Sequence, residues 1–157
     1  MHDIYLTEIA KQFYTDALNH VRNCADEFWG LDTGLDKYLD LINSGPHVAP
    51  MYSKYGPSSL EGRLISYVIV CYSRDIEKII IEDIPKELKQ LFDSHEVSLC
   101  LNQPKIQDKK GVTNPCLKYV SHPEYWNVNH FRYELITSEQ EHHNVFWEYI
   151  SNRLSRL

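Results

Sequence analysis

Residues 66 to 88 read SYVIVCYSRDIEKIIIEDIPKEL, two apolar runs parted by Ser73, Arg74 and Asp75. Read as helix, the segment 59–84 has Ser58 and Glu61 spaced as a capping box. Leu60, Leu64, Val68, Cys71, Asp75 and Ile79 then follow at intervals of three or four. That alternative makes the protein all-α. Against it, Tyr67 to Tyr72 run unbroken and Ile79, Ile80 and Ile81 form a second run. Branched and aromatic side chains lose rotamer freedom on a helix and pack well on a pleated surface. Two runs of strand length about a short connection predict a central hairpin, although the Asn-Gly or Asp-Gly pair of the tightest turns is absent. Pro85 then opens a helix, because proline suits a first helical turn and biases Ile84 toward extended backbone.

On the amino-terminal side, Leu6, Ile9, Phe13, Ala17, Val21, Cys24 and Phe28 recur every three or four residues, which predicts a helix from about Asp3 to Trp29 stopped by Gly30. A second helix from about Thr33 to Asn43 turns Leu35, Tyr38, Leu39 and Ile42 inward. Its outer side carries Asp32, Asp36 and Asp40. The proline- and glycine-rich stretch from Gly45 to Ser59 reads as an irregular surface loop. On the carboxyl side, Leu88, Leu91 and Phe92 form the inner face of the helix after Pro85. Val97, Leu99 and Leu101 alternate with polar neighbours as a third strand, and Phe131, Tyr133 and Leu135 do so as a fourth. Ser138 and Glu141 are spaced as a capping box for a last helix whose stripe is Phe146, Ile150, Leu154 and Leu157. The expected fold is α+β: about four antiparallel strands packed by long first and last helices in the order ααββαββα. With no internal repeat or composition break, residues 1–157 read as one domain.

The composition, 43% hydrophobic and 24% charged, is globular and excludes a disordered chain. MHDIYLTEIAKQF has no basic-then-apolar leader, and no apolar run reaches the roughly 18 residues of a membrane span. A soluble, cytoplasmic protein without a membrane partner is expected. Cys24, Cys71, Cys100 and Cys116 show no CxxC spacing and read as free thiols. The net charge of −6 is concentrated in residues 1 to 50, where Lys11, Arg22 and Lys37 face eight acids. Such a surface repels phosphate backbones and attracts basic partners.

Residues that carry chemistry are present without an assembled set. His142 and His143 are adjacent on a helix, so they point about 100° apart and cannot converge on one atom; both read as surface side chains. His20 and Cys24 share a helical face but supply only two ligands, so no metal or other cofactor is expected. The G-x-S-x-G, P-loop and G-x-G-x-x-G patterns are missing, as is the Arg-to-His spacing of a two-helix ribonuclease; for the strand acid followed by an acid-x-Lys on the neighbouring strand of a metal-dependent nuclease, the nearest approach, Asp75 to Lys78, sits at the expected turn with the wrong spacing. Lys105, Lys109 and Lys110 lie in the polar stretch 103–116, ahead of Tyr119, Tyr125, Trp126 and Phe131, a pairing of charge and stacking that suits single-stranded nucleic acid.

Asp26, Glu27, Asp32, Asp36 and Asp40 cluster beside Trp29 and Tyr38. Acid rimming an aromatic anchor suits recognition of a basic protein. The expectation is a non-catalytic binding protein: an inhibitor or immunity protein that neutralises a basic partner such as a nuclease toxin, through Asp26, Glu27, Trp29, Asp32, Asp36 and Asp40. The alternative is a nucleic-acid-acting enzyme using His130, His142 or His143 with the Lys105–Lys110 loop.

Overall fold

The computed structural model describes residues 5–23, 34–58, 60, 62–93, 97–103 and 129–157. In chain order they form α1 (Glu8–Asn23), α2 (Asp36–Ser44), β1 (Val48–Pro57), β2 (Leu64–Tyr72), a 3-10 turn (Arg74–Ile76), a π-turn (Ile79–Asp83), α3 (Ile84–Leu91), β3 (Ser98–Asn102), β4 (His130–Thr137) and α4 (Gln140–Ser155). The fold is α+β, and the described strands make one antiparallel sheet in the order β1-β2-β4-β3.

The opening stretch is half strand and half helix. Tyr67 to Tyr72 lie in β2, but the hairpin partner of β2 is β1, which precedes it, and not Ile79–Ile81. β1 occupies the stretch expected to be an irregular loop. Among the described strands it lies at the sheet edge, where prolines are tolerated: Pro50 sits where the register shifts and Pro57 closes the strand. Ser58 organises the turn instead of capping a helix. Its N–H donates to the Arg63 carbonyl at 3.0 Å, and its hydroxyl accepts the Leu60 N–H at 3.1 Å. Gly62, at φ +76°, supplies the left-handed residue that this turn needs.

Ile79–Ile81 are helical because Ile76, Ile80, Ile84 and Leu88 recur every four residues, and all four are buried. This stripe outweighs the strand preference of three successive isoleucines. Ile84 N–H bonds back to the Ile79 carbonyl, five residues away, which defines the π-turn. In that register the Ile80 carbonyl would be served by the N–H of residue 85. Residue 85 is proline and has none, and the Tyr133 hydroxyl donates to Ile80 O instead, at 2.6 Å.

One face of the sheet packs on α2, α3 and α4. Val68, Val70 and Tyr72 of β2, Phe131, Tyr133 and Leu135 of β4, and the half-buried Leu99 and Leu101 of β3 meet Leu39 and Ile42 of α2, Ile84 and Leu88 of α3, and Phe146, Trp147, Ile150 and Leu154 of α4. Gly45 lets the α2–β1 turn approach α4, since a Cβ there would lie 2.8 Å from the Leu154 carbonyl oxygen. Leu6, Ala10, Tyr14, Leu18, Ala49, Met51, Ile69 and Cys71 are buried outside this core, where α1 packs on β1 and the Leu6 N–H, just ahead of α1, donates to the Tyr72 carbonyl of β2 at 2.8 Å. β2 is therefore covered on both faces from Val68 to Tyr72, which accounts for its unbroken apolar run.

Four further expectations need correction. The buried stripe of α1 is Ala10, Tyr14 and Leu18 following Leu6, not the stripe through Ile9, which is 64% exposed. Leu91 faces outward on α3. Ser138 does not cap α4: the N-cap is Glu139, which makes no side-chain cap bond, and its N–H donates to Thr137 Oγ1 at 3.3 Å. His143 is fully buried, because α4 turns His143, Trp147 and Ser151 to the sheet together with the apolar stripe. The expected ends of α1 at Asp3 and Trp29, and Glu61, lie outside the described residues.

Candidate functional site

α2 is short, with Leu35, Leu39 and Ile42 buried beneath it. Helical spacing then sends Asp36 and Asp40, four residues apart, to the exposed side. Asp36 lies in the first turn, where the helix dipole favours a carboxylate. Lys37 Nζ rests 4.8 Å from the centre of the Tyr38 ring, and Tyr38 in turn stacks on Trp147 at 5.8 Å and 20°. Asp26, Glu27, Trp29 and Asp32, the other members of the expected acidic set, lie outside the described residues, as do Lys105, Lys109 and Lys110.

Two anchors fix α2 to the rest of the domain. At its carboxyl end, Lys11 of α1 donates to Asn43 O and Asn43 Oδ1, each at 2.6 Å, and to Val48 O. These three acceptors use all three ammonium protons. Burial pushes the Lys11 pKa down to about 8. At its middle, α2 is held through Tyr38 and Trp147 by a buried hydrogen-bond chain.

In that chain Trp147 Nε1 donates to Ser66 Oγ at 2.9 Å, Ser66 Oγ lies 2.7 Å from His143 Nδ1, and His143 Nε2 lies 3.0 Å from the Thr137 carbonyl. A carbonyl oxygen can only accept, so Nε2 carries the ring proton and Nδ1 accepts from the serine hydroxyl. The pair Ser66 and His143 has the spacing of a nucleophile and its base. Both are 0% exposed, however, and Nε2 is spent on a backbone oxygen. No substrate can reach them, and the arrangement is a satisfied polar core. A signal for it was available: Ser66 alternates with Val68, Val70 and Tyr72, and His143 and Trp147 are four apart on the inner side of α4.

A second serine–histidine contact is only part-buried: His47 Nδ1 lies 3.2 Å from Ser73 Oγ. Cys71 pairs across the strands with His130, but burial pushes its thiol up to about 12, which disfavours the thiolate that catalysis requires. Between α3 and α4 lies a shallow groove of about 330 Å³, lined by Leu91, Val145, Tyr149, Arg153 and Arg156 among others. Arg153 and Tyr149 beside it both donate to the Glu87 carboxylate and hold its pKa below the usual range. Among the described residues no three His, Cys, Asp or Glu side chains are grouped to hold a metal ion, and no helix is long and apolar enough to cross a membrane. The side chain of His20 and the whole of Cys24 lie outside the described residues.

The described residues thus define an α+β domain that displays an acidic helix and seals the Ser66–His143 pair in the core. Comparisons with protein-family models, curated proteins and solved structures found no match to this chain.

Proposed function

We propose that this chain is a small acidic binding protein, an inhibitor or immunity protein acting in the cytoplasm to neutralise a basic partner such as a nuclease toxin. The observation that carries the reading is the exposure of Asp36 and Asp40, one turn apart on a helix anchored at its middle and its end, in a chain of net charge −6. Complementary charge accelerates encounter and rejects wrong partners. The enzymatic alternative is less well supported, because both ring nitrogens of His143 are engaged in the core.

Wild-type chain immobilised and exposed to extract of its native host is expected to retain a basic protein that added salt releases. The double variant Asp36→Lys/Asp40→Lys should bind that protein about tenfold more weakly or worse, the weight of one or two close charge pairs. Equal retention by both chains would contradict the role of α2. Degradation of RNA or DNA by the purified chain, lost in His130→Ala or His142→Ala, would favour the enzyme instead.

A further inference from the structure

The polar chain beneath α2 works with one protonation state of His143 only. With the ring neutral, every hydrogen has an acceptor: Trp147 N–H on Ser66 Oγ, the serine hydroxyl on Nδ1, and Nε2–H on Thr137 O. A second ring proton would sit on Nδ1 and point at Ser66 Oγ, 2.7 Å away. Ser66 would then have to accept from Trp147 and His143 at once, and its own hydrogen would lose the acceptor it has now.

Among the described residues the new charge would also find no counter-ion. Around the ring, β1 contributes the Tyr55 ring at 5.3 Å, β2 Ser66, β4 the Thr137 carbonyl, and α4 Trp147 and the neighbouring His142. Tyr38 of α2 lies behind Trp147. Among the described residues, the side chain that acts electrostatically on His143 is His142, which also disfavours a positive charge. A buried charge without a partner is among the costliest arrangements in a fold.

We propose that the Ser66–His143–Trp147 chain is an acid-sensitive latch: uptake of one proton by His143 breaks the bond that the Ser66 hydroxyl donates to it, puts a charge in the core, and so loosens the seating of α4 and, through Tyr38, of α2 on the sheet. The latch follows from the packing alone and does not depend on the binding role proposed above. Desolvation depresses the basicity of His143 below its ordinary 6.5. The unfolded chain therefore takes up the proton first as pH falls. The stabilisation is complete above 6.5 and is lost progressively between 6.5 and the lower folded value. Across that window the unfolding constant should rise by up to about tenfold per pH unit, the linkage of a single proton. Glu87, whose carboxyl is also held down, contributes to the pH dependence in a separate window below 4.5.

The test uses the full chain. Urea unfolding from pH 7.5 to 5.0 is compared for wild type, His143→Gln and His142→Gln, alongside an NMR titration of the imidazoles and hydrogen exchange of the α2 amides. The one-proton slope should be present in wild type and His142→Gln and missing in His143→Gln. In wild type, α2 protection, corrected for intrinsic exchange, should fall with the same midpoint. If His143→Gln does not fold, the wild-type imidazole titration decides. A His143 resonance that titrates at the ordinary 6.5 in the native state, or equal slopes in wild type and His143→Gln, would overturn the latch.

Discussion

Replacing Trp147 by alanine is expected to lower the unfolding free energy by about 3–5 kcal/mol, the range for deleting a large aromatic side chain from a packed core. Trp147 is 1% exposed and joins three elements. Its indole N–H donates to Ser66 on β2, its ring stacks on Tyr38 of α2, and its edge meets Phe146 on α4 at 5.3 Å. Alanine would leave a cavity between α2, α4 and the sheet and would remove a donor from the buried Ser66. Trp147→Phe separates the two losses, because it keeps most of the volume and forfeits the hydrogen bond. It should cost about 1–2 kcal/mol, since Ser66 can still donate to His143. Urea unfolding at pH 7.5 measures both. An alanine variant within about 1 kcal/mol of wild type would mean that α2 and α4 are seated independently of this residue.

The elements that were legible in the sequence are those in which one face alone is apolar. β3 and β4 alternate, and α2 and α4 carry apolar stripes, so their existence and inner faces follow from periodicity. Where both faces are covered the signal is ambiguous. β2 lies between two layers, and its unbroken apolar run resembles that of Ile79–Ile81, which belongs to a helix. The four-residue recurrence of Ile76, Ile80, Ile84 and Leu88 would have told them apart, but local β-branched preference obscured it. β1 was hidden because Pro50, Gly56 and Pro57 are loop signals everywhere except on an edge strand.

In α1, the stripes through Ile9 and Phe13 and through Ala10, Tyr14 and Leu18 are about equally regular. The choice between them falls to non-local contacts, among them Lys11 reaching Asn43 and Val48. The same limit applies to the candidate site. Exposure of Asp36 and Asp40 could be read from α2 by itself. The inner position of His143 was signalled by its spacing from Trp147 and Ile150, but its partner was not, because that depends on the strand register that brings Ser66 under α4.

The π-turn gives the second large effect. Tyr133→Phe should destabilise the fold by about 1–3 kcal/mol, the penalty for a buried polar group left without its hydrogen bond. The group at stake is the Ile80 carbonyl, which loses its main-chain donor to Pro85 and receives the Tyr133 hydroxyl at 2.6 Å. If this is the reason the tyrosine matters, supplying the missing N–H should relieve the loss. In a Pro85→Ala background the backbone of residue 85 gains a donor, and Tyr133→Phe should then cost about 1 kcal/mol less than in wild type. The double-mutant cycle, read by urea unfolding of all four chains at pH 7.5, isolates this coupling from the packing of the ring, which phenylalanine preserves. A coupling energy near zero would mean that Tyr133 contributes through its ring alone and that the proline-linked π-turn satisfies its carbonyl in another way.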